Sequence, residues 1–146
     1  MKKNLLLSLL AVALASPMFA QFSIKKVVFE EFTGAWCQYC ADGAYRADMM
    51  DDNNPDALMV AVHDGDAMEM ADGVDLATFY TPAYPQALFD RGGALVSRGS
   101  WNSTMISMLQ GAGSVTVAFD SVDYNSQTRQ LTAHVSALFT ANLSGD

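Results

Sequence analysis

Two cysteines separated by two residues, Cys37 and Cys40, stand between a short apolar run and a stretch patterned as a helix. The run Val27-Val28-Phe29, continued by Phe32 and interrupted by Glu30 and Glu31, predicts a mostly buried strand that ends at Thr33-Gly34. From Cys37 to Met50 there is no proline, and Cys40, Ala44, Ala47 and Met50 recur at helical spacing, which predicts a helix opening on the cysteines and slightly weakened at Gly43. Asp51-Asp52-Asn53-Asn54-Pro55 stops that helix. Ala57 to Val62 is a continuous apolar run of the kind found in strands buried on both faces. A strand, a helix and a strand in that order predict a right-handed parallel crossover, and so an α/β fold with helices flanking a sheet.

The remaining pattern extends this kernel. After the polar loop His63-Asp64-Gly65-Asp66 a helix is expected from Met70 to Tyr80, broken at Gly73 and closed by Pro82 and Pro85. Gln86 to Phe89 and Ala94 to Ser97, joined through Asp90-Arg91-Gly92-Gly93, read as a β-hairpin. Trp101 to Gln110 reads as a helix with Ser100 as its cap. Beyond Gly111-Ala112-Gly113 the period changes to long alternating strands, Val115 to Asp123 and Gln130 to Thr140, turning near Asn125-Ser126. Val115, Val117 and Phe119 give this hairpin an apolar face that a lone two-stranded ribbon cannot bury, so it is expected to begin an incomplete second β domain or to seek a partner.

The first residues read as an export signal: Lys2 and Lys3 precede an apolar run from Leu5 to Ala15, interrupted only by Ser8. The run is shorter than the roughly 20 residues a membrane-spanning helix needs, so no membrane span is expected. Cleavage after Ala20 is preferred to cleavage after Ala15, and no cysteine precedes Cys37 to accept a lipid. The organisation expected is a signal peptide at 1–20, an α/β domain at 21–111 and a β-hairpin extension at 112–146. Without Lys2 and Lys3 six basic residues face sixteen acidic ones, a formal charge of -10, which excludes nucleic acid as a partner. The acidic residues are dispersed and read as a solvated surface in an oxidising compartment.

Three readings of the cysteine pair stand on the residues alone. A structural zinc site needs four ligands, and only His63 and His134 could join the two cysteines. A purely structural bridge closing so small a loop would remove on the order of 2 kcal/mol of unfolded-state entropy, less than a long-range disulfide. In a redox pair at a helix N-terminus, unpaired amides and the helix dipole would favour the thiolate of Cys37, and Cys40, one turn on, would resolve a mixed disulfide.

The segment Phe29-Glu30-Glu31-Phe32-Thr33-Gly34-Ala35-Trp36-Cys37-Gln38-Tyr39-Cys40 resembles the active-site strand, loop and helix of the thioredoxin superfamily, including the tryptophan before the first cysteine. Ala61-Val62-His63-Asp64-Gly65-Asp66-Ala67-Met68 and Tyr84-Pro85-Gln86-Ala87-Leu88-Phe89-Asp90-Arg91 resemble a narrower group, the thioredoxin-like envelope proteins related to outer membrane protein twenty-eight. The resemblance implies a thioredoxin-like mixed sheet with flanking helices, with Cys37 as nucleophile, Cys40 as resolving thiol and Glu31 as the buried acid that assists deprotonation of Cys40. It implies a cis bond between Tyr84 and Pro85, and a substrate-binding surface formed by Trp36, Tyr39, Tyr84 and Pro85. Gln38-Tyr39 replaces the Gly-Pro pair of thioredoxin, and Gln86 replaces the threonine after the cis-proline, so oxidant and reductant both stay open.

Each of these residues also has a plainer use. Glu31 can be a strand-edge charge, Trp36 and Tyr39 core aromatics, His63, at a strand end where loops gather around ligands, a satisfied polar contact rather than a catalytic group, and Met68 and Met70 gap fillers rather than the lining of a peptide groove. The expectation is an exported thiol-disulfide oxidoreductase in the periplasm or outer-membrane-associated envelope of a bacterium. It would exchange with protein thiols or disulfides and an envelope redox partner, with no cofactor and no metal. The rival is a binding or surface protein of the same fold whose cysteines form only a local bridge.

Overall fold

A computed structural model describes residues 23–139 of the 146-residue chain. The expected signal segment and Thr140 lie outside the described residues. The elements in chain order are β1 (Ser23–Ile24), β2 (Val27–Thr33), α1 (Cys40–Asn53), β3 (Ala57–His63), α2 (Ala71–Tyr80), β4 (Gln86–Phe89), β5 (Gly92–Ser97), a 3-10 turn (Arg98–Ser100), α3 (Trp101–Leu109), β6 (Ala112–Gly113), β7 (Val115–Asn125) and β8 (Gln130–Phe139). Four strands form a sheet in the order β3-β2-β4-β5. β2 and β3 are parallel, in register from Val27 with Ala57 to Thr33 with His63, whereas β4 runs antiparallel to β2 and to β5. The result is a thioredoxin-like mixed sheet with flanking helices, followed by a C-terminal hairpin. None of the described helices is long and apolar enough to cross a membrane.

Strand alternation sends successive β2 side chains to opposite faces. On one face Val27 and Phe29 join Met50 of α1 and Trp101 and Met105 of α3 in the larger core cluster. Phe29 meets the Phe89 ring edge-on at 5.2 Å and the Trp101 ring at 5.0 Å, and the Trp101 indole N–H donates to the Val96 carbonyl at 2.8 Å. On the other face Phe32 packs with Val62, Leu88 and Ala77 of α2. Each fully buried aromatic or aliphatic side chain contributes roughly 1.5 to 3 kcal/mol to this core.

Several local expectations need correction. Helix α1 begins at Cys40, not Cys37, because the Cys37 N–H bonds the Gly34 carbonyl and the Cys40 N–H bonds the Cys37 carbonyl, holding the intervening residues in turns. β3 is the edge strand of the sheet, so Leu58 and Val60 are 50% and 45% exposed rather than buried on both faces. α2 runs unbroken through Gly73, where a Cβ would come within 3.3 Å of Val62 Cγ1. The glycine there permits close packing of helix on strand. The β4–β5 turn is shorter than expected and β5 starts at Gly92. Asp90 and Arg91 both adopt φ near 52°, and the Asp90 carboxylate is held by the Val28 N–H and the Lys25 ammonium. Ser100 precedes α3 without a side-chain cap, and its carbonyl accepts the Ser103 and Thr104 hydroxyls instead.

The C-terminal hairpin has the expected alternation with one addition. Val115, Val117 and Phe119 oppose Phe139, Ala137 and Val135, and then a bulge at Asp120 shifts the register so that Val122 and Tyr124 oppose Ala133 and Leu131. The extra residue switches β7 from odd to even positions and keeps all these side chains on one apolar face. Phe119 is 70% exposed there.

Candidate functional site

The end of β2, the turn that follows it and the first turn of α1 carry the cysteines. A disulfide joins Cys37 and Cys40, whose Cα atoms are 5.3 Å apart. Cys37 is half-buried and Cys40 buried. A shallow depression of about 250 Å³ over the pair is lined by Thr33, Gly34, Cys37, Cys40, Ala44 and His63, among others.

Beneath this surface lies Glu31, on the same face of β2 as Phe29 and therefore turned towards α1. It is 4% exposed, and its Oε1 has no hydrogen-bond partner. The meeting point is Gly43, one turn into α1. A Cβ at that position would lie 2.5 Å from Glu31 Oε1 and 3.1 Å from both Cβ and Cγ of Pro85. Glycine thus lets the helix carrying Cys40 close onto a carboxyl group and a buried proline, and Pro85 follows a cis peptide bond from Tyr84. Burial pushes the Glu31 carboxyl up to about 7. The nearby charge of His63 and a hydrogen bond from the Thr33 side chain oppose that rise, and Asp48 adds to it. Glu31 can therefore gain or lose a proton near neutral pH.

Glu30 is also buried but differs in having a partner: Arg91 Nε lies 2.9 and 3.1 Å from its two oxygens. Both adjacent carboxyls are thus enclosed on opposite faces of one strand, and Glu31 alone keeps an unsatisfied oxygen.

An aromatic pair borders the site. The Trp36 indole N–H donates to the Asp64 carbonyl at 2.7 Å, and its ring meets Tyr84 edge-on at 5.1 Å. Gly34 leaves room for the indole, since a Cβ there would lie 2.6 Å from Trp36 Nε1. The Tyr84 hydroxyl donates to Asp64 Oδ2 at 2.6 Å, and burial followed by this carboxylate raises its pKa. Trp36 and Tyr39 are both more than half exposed and are not core aromatics. Tyr39 faces another way, with the Arg98 guanidinium 5.0 Å above its ring. Arg98 and Arg46 both donate to Asp42 Oδ2, at 2.7 and 2.8 Å, and the Arg46 bond followed by that of Arg98 lowers the Asp42 pKa.

His63 Nδ1 lies 2.7 Å from Asp66 Oδ2. Asp66 also accepts the N–H groups of Ala35 and Met68, and the His63 bond followed by these amides holds its carboxyl down at about 2. The structure therefore groups Cys37, Cys40, Glu31 and Pro85 around the head of α1, with Trp36 and Tyr84 beside them. Tyr39 stands on the Arg98 side. Sequence reasoning missed the packing role of Gly43, which carried only a propensity signal. It also missed the Asp42-Arg46-Arg98 group, of which the four-residue spacing of Asp42 and Arg46 was the one visible sign.

Neither a protein-family model nor a curated protein sequence matches the chain. Among solved structures, a malarial protein matches with a TM-score of 0.43 at 14% identity, over 58% of this chain and 99% of its own. HBP35 of Porphyromonas gingivalis matches with a TM-score of 0.55 at 20% identity, over 86% of this chain and 46% of its own. The chain thus spans about half the length of HBP35, and the likeness between them is one of fold.

Proposed function

We propose that the chain is an exported thiol-disulfide oxidoreductase of the thioredoxin superfamily, acting on protein substrates in a bacterial envelope. The observation that carries this reading is the Cys37–Cys40 disulfide at the head of α1 with a buried carboxyl of elevated pKa packed against the same turn. From the oxidised form, a substrate thiolate attacks Cys37 Sγ, the Cys37–Cys40 bond breaks, and Cys40 leaves as a thiolate that takes the Glu31 proton. A second substrate thiolate then attacks the substrate sulfur of the mixed disulfide and releases Cys37. The substrate loses two electrons as its disulfide forms, and the cysteine pair gains them. The reverse sequence reduces a substrate disulfide, with Glu31 accepting the Cys40 proton before resolution. Pro85, the exposed Trp36 and the half-buried Tyr84 border the path along which a substrate chain approaches Cys37.

Equilibration of the pair with defined dithiol buffers, combined with alkylation of the reduced protein at mildly acidic pH, tests this reading. A potential between roughly -120 and -270 mV, with Cys37 modified first, is expected of an exchange catalyst. A potential below about -300 mV would make the pair a local bridge and the chain a binding protein, and preferential modification of Cys40 would reverse the assigned roles.

A further inference from the structure

Two methionines whose sequence context suggests gap filling in the core do the opposite. Met68 is 60% and Met70 73% exposed, beside the end of β3. Methionine in a core adapts to irregular space and gains packing, whereas these two stand mostly in solvent. Together with His63 they line one depression of about 210 Å³ on the α2 side of the sheet, walled by Val60, Val62 and Leu76.

The imidazole in that depression is already oriented. An ionised carboxylate only accepts hydrogen bonds, so Nδ1 is the donor in the contact of His63 with Asp66 Oδ2, and Nε2 is the ring nitrogen left to face a ligand. Asp66 is itself fixed by the Ala35 N–H at 2.7 Å, and its other oxygen accepts the Met68 N–H at 2.8 Å. One carboxylate therefore sets the ring and also ties down the backbone of the first methionine. A carboxylate behind a histidine is the usual outer support of a metal-binding imidazole.

Among the described residues no three His, Cys, Asp or Glu side chains group as metal ligands, and the donors here are of a different kind. Two thioethers and an imidazole are soft or borderline ligands, need no deprotonation and suit a monovalent d10 ion rather than an oxygen-seeking divalent one. The charges facing the depression agree. Glu30 is paired with Arg91, and Asp72 adds one negative charge opposite a single positive ion. We infer that His63, Met68 and Met70 form a binding site for Cu(I), separate from the cysteine pair. His63 also borders the depression over the disulfide, so the two sites are neighbours that share no sulfur ligand.

The test uses the full chain with Cys37→Ser and Cys40→Ser, which removes thiolate competition, titrated anaerobically with Cu(I) against a chromophoric chelator and separately with Ag(I). One equivalent is expected to bind, with the Met68 and Met70 methyl resonances shifting on addition of Ag(I). Met68→Leu/Met70→Leu conserves volume and should weaken binding at least 100-fold with an unchanged circular dichroism spectrum. His63→Gln should weaken it about 10-fold or more. The disulfide form of the unsubstituted protein should bind Ag(I) as tightly as the serine variant. Absence of stoichiometric binding, an affinity untouched by the double leucine variant, or shifts confined to other methionines would overturn the assignment.

Discussion

Replacing Glu31 with Gln should change how stability depends on pH. In the native state burial holds the Glu31 carboxyl at a pKa of about 7, against an ordinary value of 4.5. Between these values the folded protein binds more protons than the unfolded chain, so stability falls as pH rises through the window. Below pH 4.5 the carboxyl is protonated in both states, and above pH 7 the full cost of an ionised buried carboxylate is present. A rise from 4.5 to about 7 corresponds to about 3 kcal/mol at most. The depression above the site is open to solvent, and screening through it leaves on the order of 2 kcal/mol.

The glutamine side chain of the variant cannot titrate, so the contribution disappears from it. The amide that replaces the unpaired Oε1 brings its own cost, roughly 1 to 3 kcal/mol if it finds no partner, but that offset is the same at every pH. The quantity to read is therefore the difference between wild type and Glu31→Gln in urea unfolding of the oxidised proteins at pH 4.5, 5.5, 6.5 and 8. Wild type should lose about 2 kcal/mol relative to the variant across this range, mostly between about pH 5 and 7.5. Parallel stability curves would refute the claim that Glu31 is buried with a displaced pKa, whatever the absolute stabilities.

Three other substitutions probe the surrounding contacts. Gly43→Ala gains helix propensity of up to about 1 kcal/mol but forces a methyl against Glu31 Oε1 and Pro85, so a net loss of roughly 1 to 2 kcal/mol and a melting temperature lower by about 5 °C or more is expected. A variant as stable as wild type would show that α1 does not close there. Tyr84→Phe removes the hydrogen bond to Asp64 and should cost about 1 to 2 kcal/mol by urea unfolding while increasing quencher access to Trp36; unchanged stability and quenching would disprove the coupling. Met105→Ala, in the fully buried cluster around Trp101, should cost about 2 to 5 kcal/mol, and a loss below about 1 kcal/mol would contradict the packing described.

The parts of the fold that were legible are those in which local pattern and tertiary environment agree. The apolar run of β2 and the alternation of the final hairpin each bury or present side chains as their period demands, and the spacing after Cys37 marks a helix. The failures sit where a tertiary neighbour overrode the local signal. Gly73 looked like a helix breaker because no sequence pattern shows that Val62 will press against it. Ala57 to Val62 looked doubly buried because composition cannot say that the strand will end up at a sheet edge. At the site, the strand position of Glu31 could be read by counting, whereas its unpaired oxygen depends on Gly43 and Pro85 arriving from other elements. The exposure of Met68 and Met70 likewise follows from the path of the loop after His63, to which the Asp66 contacts contribute and which hydropathy does not encode.

Where α1 begins bears on which sulfur the helix end favours. With Cys40 as its first residue, Cys37 lies in the preceding turn, outside the helix, and is bridged to that first residue. The residue before the helix is Tyr39, whose side chain makes no cap hydrogen bond, so the first-turn amides are not engaged by the serine or aspartate oxygen that usually caps them. Asp42 places a carboxylate in this turn, where it helps the helix but opposes an anion nearby. Arg46 and Arg98 both hold that carboxylate and offset its charge. In the proposed exchange, Cys37 stands outside the helix, while Cys40, buried as the first helical residue on the same helix face as Gly43, is left to the carboxyl group able to move a proton at neutral pH. The two cysteines thus meet different electrostatics because the helix starts three residues later than its sequence pattern suggests, and an attacking thiol and a resolving thiol need that difference.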